Sequence, residues 1–124
     1  MDKRSLIQLT SKIDQNSCPG SINFHCHTNF SDGSMNPEDI LEEAYKNKLN
    51  YISITDHHTI EAYEYIANKN LLNNTKYNSF ELVNGIEING LLMGCLVHII
   101  GLGIDIKNPS LNPFGIGESF FWKA

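Results

Sequence analysis

Four histidines and two acids stand at spacings that suit a metal centre. They are His25, His27 and Asp32 in HCHTNFSDG, His57 in TDHH, Glu87 in GIEI and His98 in VHIIG. Taken singly, most have an ordinary reading. Asp32 before Gly33 suits a turn, and a lone strand histidine such as His98 is more often a hydrogen-bonded core residue. Glu87 is harder to dismiss, because an isolated carboxylate between Ile86 and Ile88 is costly unless something compensates its charge. Imidazole and carboxylate together suit zinc, manganese or iron(II). A carboxylate can also bridge two cations, which a neutral imidazole cannot do. Two-metal sites of that kind activate a water and clamp a phosphoryl oxygen, and a metal lowers a bound water's pKa to about 7.

The elements that must position these groups follow from periodicity. INFHCHT reads as a strand with Ile22, Phe24 and Cys26 on one face and Asn23, His25 and His27 on the other. NPEDILEEAYKNKL opens with helix-start grammar: Asn36 as N-cap, Pro37 at the first helical position, then Glu38 and Asp39. Its buried stripe is predicted to be Ile40, Leu41, Ala44 and Tyr45. YISITDH is a second strand and ends at His57. TIEAYEYIANKNLL is a helix with Ile60, Tyr63, Ala67 and Leu71 on one side. After an Asn-rich loop, ELVNGIEI is a third strand and CLVHIIGLGI a fourth. The order β-α-β-α-β-β argues for a mainly parallel sheet covered by helices. Sites in such folds gather at the carboxyl ends of strands, so the six candidates can converge. His58 is read as structural or supporting, and Asp56 as a helix cap or an orienting group for a neighbour.

Composition narrows the function classes. The net charge of −5 and a single arginine, Arg4, give no global attraction to nucleic acid. No basic amphipathic helix suggests a membrane surface. The opening MDKRSLIQLTSKIDQ has no apolar run for a signal peptide or a transmembrane helix; Leu6, Leu9 and Ile13 predict a short amphipathic helix instead. The three cysteines, Cys18, Cys26 and Cys95, form no C-x-x-C and are odd in number, which points to neither a disulfide framework nor a zinc knuckle. A cytoplasmic location is the expectation.

As a set, HCHTNFSDG, ITDHHT, GIEI and VHIIG resemble the ordered motifs of the PHP (polymerase and histidinol phosphatase) superfamily, across residues 22–103. The spacing of His25, His27 and Asp32 and the gap from Glu87 to His98 resemble its nucleotide-phosphatase branch, which holds nucleoside bisphosphate phosphatases and 5′-to-3′ exoribonucleases. Two departures stand out: Asn23 where many relatives carry an aspartate, and His58 where many carry one after TDH. The resemblance implies a distorted (β/α)7 barrel with up to three divalent metals (manganese, zinc or iron). It implies that His25 and His27 hold the first and that Glu87 bridges it to a second, which His98 also binds. Asp32 and His57 would hold the third. The family completes these sites with a further histidine and a late Asp-x-His pair, and no histidine follows His98 here.

A barrel of that kind needs on the order of 200 residues, so the expectation is the N-terminal half of one. Its parts would be an N-terminal helical extension (1–20), a partial PHP domain (21–106) and an irregular, truncated tail (107–124) ending on an apolar FFW, with an open sheet edge. The expected function is metal-dependent hydrolysis of a phosphate ester of a nucleotide or small metabolite. Asp32, His57 and Glu87 are the candidate catalytic groups, and all six residues are candidate ligands. The rivals are a non-catalytic metal-binding or accessory remnant, and a half-barrel acting as a homodimer. The expected partner is a phosphorylated small molecule or nucleotide, with no membrane and no extended nucleic-acid surface.

Overall fold

The computed structural model describes residues 1–17, 20–108 and 122–123. The chain runs α1 (Lys3–Thr10), β1 (Ile22–Cys26), α2 (Pro37–Lys46), β2 (Tyr51–Ile54), α3 (Glu61–Asn68), two short 3-10 turns, β3 (Glu81–Leu82), β4 (Gly85–Leu92), β5 (Cys95–Leu102) and β6 (Trp122–Lys123). β1, β2 and β3 form a three-stranded parallel sheet in that order, with Ile22 opposite Tyr51 and Ile52 opposite Leu82. The architecture is mixed α/β with flanking helices, as the alternation of strands and helices implied.

The helix grammar is realised in α2. Asn36 accepts from the Asp39 amide at 2.8 Å, Asp39 returns the bond to the Asn36 amide, and Pro37 opens the helix. These bonds satisfy donors the first turn would otherwise leave orphaned. Ile40, Leu41 and Ala44 are buried, while Tyr45 lies outside the core at 42% exposure. In α3 the buried face is Ala62, Tyr63 and Ile66, with Ile60 just before it; Ala67, expected inside, is exposed. Leu71 falls in a separate 3-10 turn and is only partly buried. Together α2 and α3 cover Ile52 and Ile54 of β2 and Ile86 of β4.

ELVNGIEI, read as one strand, is two. Glu81–Leu82 completes the parallel sheet, whereas Gly85–Leu92 leaves it and pairs antiparallel with β5 along its whole length. Buried Tyr63 holds the break. Its hydroxyl lies 2.6 Å from the Ile54 carbonyl and 3.1 Å from that of Val83, and accepts from the Gly85 amide at 2.7 Å. Gly85 is required here by close approach: a Cβ would sit 2.2 Å from Ser53 Oγ and 2.9 Å from Thr55 Cγ2. The antiparallel β4–β5 hairpin is therefore the exception to the expected parallel order. Among the described residues β1 pairs only with β2 and β5 only with β4, so both present a free edge. Leu92, Met93, Leu96 and Ile99 on the hairpin are exposed.

The N-terminal helix forms as α1, its Asp2 side chain accepting from the Ser5 amide, and it stops before Ile13. Of the expected 107–124 tail, 109–121 and 124, including most of FFW, lie outside the described residues, as do Cys18 and Pro19. Trp122–Lys123 pairs parallel with Gly90 and Leu91 of β4. Among the described residues no helix is long and apolar enough to cross a membrane.

Candidate metal centre

All six sequence candidates meet at one place. His25 is on β1, and His27 follows its last residue, at the carboxyl end of the parallel sheet. His57 follows β2 and forms a lone parallel bridge with Glu87. The bridge is closed by the Glu87 amide donating to the Asp56 carbonyl at 3.0 Å and the His58 amide donating to the Glu87 carbonyl at 2.9 Å. His98 comes from β5, whose antiparallel register sets it opposite Asn89.

Glu87 is the hub, its side chain only 4% exposed. Oε2 lies 3.0 Å from His25 Nε2, 3.0 Å from His27 Nε2 and 3.7 Å from His57 Nε2; Oε1 lies 3.0 Å from His98 Nδ1. Asp32 closes the other side, 3.4 Å from His27 Nδ1 and 3.2 Å from His57 Nε2. The His27 and His57 rings stack at 4.6 Å. Burial pushes the Glu87 carboxyl up, but the hydrogen bond from His25 and the fields of His57, His25 and His27 together outweigh it. The net result is a carboxyl held below its ordinary range.

Three sets of donor atoms each lie within 4.8 Å of one another: His25–His27–Glu87, His27–Asp32–His57 and His57–Glu87–His98. The first and third share only Glu87, and a carboxylate can serve both. His27 turns one ring nitrogen to Glu87 and the other to Asp32, so a neutral His27 would face a carboxylate with a lone pair. Among the described residues, His57 Nδ1, though buried, makes no hydrogen bond. A donor set of this kind, two carboxylates among four imidazoles with donor atoms within 4.8 Å in each group, fits divalent cations. His57 meets both the pairing with Asp32 that the resemblance implies and a grouping with Glu87 and His98.

Cys26, between the two histidines of β1, turns the other way. Burial, with the charge of Asp56, pushes its thiol up to about 12, and Sγ donates to the Ser53 carbonyl at 3.2 Å. Asn23, the departure in NFH, bonds the His25 amide at 3.0 Å through its side chain. His58 is buried, as its structural reading required, and its Nε2 accepts from the Asn89 amide at 3.2 Å. Asp56 does not cap α3, whose N-cap Ile60 has no side-chain bond. It accepts instead from Thr28 and Ser31, two residues that sequence reasoning passed over. The available signal was a carboxylate placed directly before a candidate ligand at a strand end.

His58 supplies a pH test. Its burial, with the nearby His57, holds its pKa below the ordinary 6.5 against the opposing pull of Glu87. As pH falls through 6.5 the unfolded chain takes up its proton first. Stability present above that value is therefore lost as pH drops towards the lower folded pKa. Asn tolerates the φ of 55° at this position. Thermal melts of the metal-free chain should show His58→Asn gaining on wild type steadily from pH 7 to pH 5.5. A constant difference across that range would contradict the assignment.

The fold and the donor set together define a PHP domain, and the chain belongs to that family, whose profile matches residues 23–110. It is 33% identical over 89 residues to a 5′-3′ exoribonuclease of Haemophilus influenzae, an overlap of 70% of this chain and 30% of that protein. It is 28% identical over 95 residues to a 3′,5′-nucleoside bisphosphate phosphatase of Chromobacterium violaceum, again 30% of the relative's length. Among solved structures, an amidohydrolase from Chromobacterium violaceum with bound sulfate and no metal superposes with a TM-score of 0.64 at 27% identity. That match covers 75% of this chain and 31% of the other. A metal-dependent phosphoesterase assigned in Bifidobacterium adolescentis also gives 0.64, at 26% identity, covering 77% and 32%. The chain thus spans about 30% of the length of the curated relatives it matches.

Proposed function

We propose that this chain contributes the histidine-rich side, gathered on Glu87, of a metal-dependent phosphoesterase centre, acting on a phosphate ester of a nucleotide or small metabolite. One observation carries the reading: a buried carboxylate, Glu87, has four imidazoles within 3.7 Å and a second acid, Asp32, across the same space. The named activities of the relatives, an exoribonuclease and a bisphosphate phosphatase, are both phosphoester hydrolyses and support the class. His25, His27, His57, His98, Glu87 and Asp32 would hold the cations, manganese, zinc or iron, with Glu87 bridging two. Bound there, such cations supply Lewis acidity towards a phosphoryl oxygen and acidify an attacking water.

The chain's own residues supply the rest. The rings of His27 and His57 stack on each other, each half-buried at 21% and 22% exposure. Asp32, 66% exposed and paired directly with His57 Nε2 at 3.2 Å, is the acid on the solvent side of the centre, and would accept the proton of a water arriving from that side. With only Arg4 in the chain, phosphate charge would be met by the cations. A cytoplasmic location and a phosphorylated small molecule or nucleotide as partner go with this reading.

A second reading is favoured by the openness of half the donor set: the side chains of His25, His98 and Asp32 are 56%, 50% and 66% exposed. It is metal binding without turnover, as an accessory remnant or a half-site completed by another copy. One assay separates the two. The purified chain, desalted and loaded with Mn2+, is offered a 3′,5′-bisphosphonucleoside, with phosphate release followed by colorimetry, and a 5′-phosphorylated oligoribonucleotide, with mononucleotide release followed by chromatography. EDTA-sensitive release that disappears in His25→Ala supports hydrolysis. Stoichiometric Mn2+ with no release supports the second reading, and no retained metal defeats both.

A further inference from the structure

We propose that Asp56 is the positioning residue of this centre, holding three ligand-bearing segments in register without itself touching a cation; the inference rests on the metal reading above. Asp56 is 1% exposed. Its Oδ1 accepts from the Thr28 amide and the Ser31 hydroxyl, each at 2.6 Å, and its Oδ2 accepts from the Thr28 hydroxyl at 2.6 Å. The Thr28 hydroxyl in turn accepts from the Phe30 amide at 3.1 Å. These donors lie in the loop between His27 and Asp32. The peptide carbonyl of Asp56 accepts from the Glu87 amide, and His57 is the next residue. One residue thereby fixes the His27–Asp32 loop, His57 and Glu87 relative to one another.

The residue type follows from the geometry. Three donors converge on one side chain, and an ionised carboxylate is the acceptor-only group with the lone pairs for all of them. All three donors are neutral, so the buried charge is satisfied but not cancelled. Cations in the adjoining centre would offset it.

Groups that orient metal ligands typically change metal affinity about 10–100-fold when removed. The test uses Co2+ as a spectroscopic probe on the full 124-residue chain, with affinity and visible absorption recorded for wild type, Asp56→Asn, Ser31→Ala and Asp32→Asn. Asp56→Asn should bind at least about 10-fold more weakly and with altered band intensities, and Ser31→Ala should shift both in the same direction. Because among the described residues the Asp56 side chain bonds only the loop that carries Asp32, and His57 and Glu87 are reached through its backbone, the Asp56→Asn/Asp32→Asn double variant should bind no more than about 2-fold more weakly than Asp32→Asn alone. Wild-type affinity and spectrum in Asp56→Asn, or losses that multiply in the double variant, overturn the proposal and leave the metal reading intact. No Co2+ spectrum in wild type overturns both. Should circular dichroism show Asp56→Asn unfolded, the Ser31→Ala/Asp32→Asn pair makes the same comparison and decides it.

Discussion

Glu87→Gln should lower affinity for Mn2+ by more than about 100-fold, beyond the roughly 10–100-fold lost when only a ligand's partner is removed. The amide keeps the shape and loses the charge that all four imidazoles share. It also turns an NH2 group towards His98 or towards His25 and His27, each now 3.0 Å from a carboxylate oxygen. A donor facing the nitrogen that would ligate a cation leaves no lone pair available there. The cheapest measurement is the thermal shift: saturating Mn2+ raises the melting temperature of a chain that binds it only when folded. Wild type should shift and Glu87→Gln should not. In the metal-free chain the ionised Glu87 contributes stability above its ordinary pKa of 4.5, lost as pH falls through its lower folded value. Glu87→Gln should lack that acid-side loss. A variant that binds Mn2+ like wild type would remove the bridging role.

Gly33→Ala should be the most damaging single-methyl insertion in the ligand loop. A Cβ at this position would lie 2.3 Å from the His27 carbonyl oxygen, 2.6 Å from its carbon and 3.0 Å from the Thr28 carbonyl carbon. All three are backbone atoms, so no rotamer change relieves the clash and the turn itself must move. The Gly33 amide also donates to the Thr28 carbonyl at 2.9 Å, closing the turn that carries Asp32. Overpacking of this kind costs about 1–3 kcal/mol. The loss should appear in urea unfolding, with Mn2+ affinity falling at least about 10-fold as Asp32 moves away from His27 and His57. Gly20→Ala is the control, because among the described residues the one atom a Cβ there would meet is the Asn16 carbonyl oxygen at an ordinary 3.6 Å. Equal behaviour of the two variants would mean that the loop yields freely.

Much of this was legible because it is local. Asn36, Pro37 and Asp39 encode the start of α2 within four residues, since capping is a contact between near neighbours. The alternation in INFHCHT put His25 and His27 on one face, because successive strand side chains point to opposite sides. The isoleucines flanking Glu87 marked its charge as needing compensation before any partner was in view. Errors arose where neighbours in space decide. Val83 and Asn84 carry no strong break signal, yet Tyr63, twenty residues earlier, pins the carbonyl on one side of the break and the amide on the other. Ala67 fits a helical stripe, but packing of α3 against the sheet rotates the buried face to Ala62, Tyr63 and Ile66.

Side-chain chemistry and short-range periodicity thus determined the ligand types, the strand, strand end or turn that carries each one, and membership in a family recognisable by four motifs. Only the tertiary structure decided that four imidazoles gather within 3.7 Å of Glu87, that β4 leaves the parallel sheet, and that Asp56 serves the ligand loop and not a helix. The physical reason is range. A periodic pattern constrains residues a few positions apart, whereas the contacts at this centre join residues up to 62 positions apart, from His25 to Glu87. Those contacts are set by backbone pairing such as the His57–Glu87 bridge, which exists only once the chain has closed on itself.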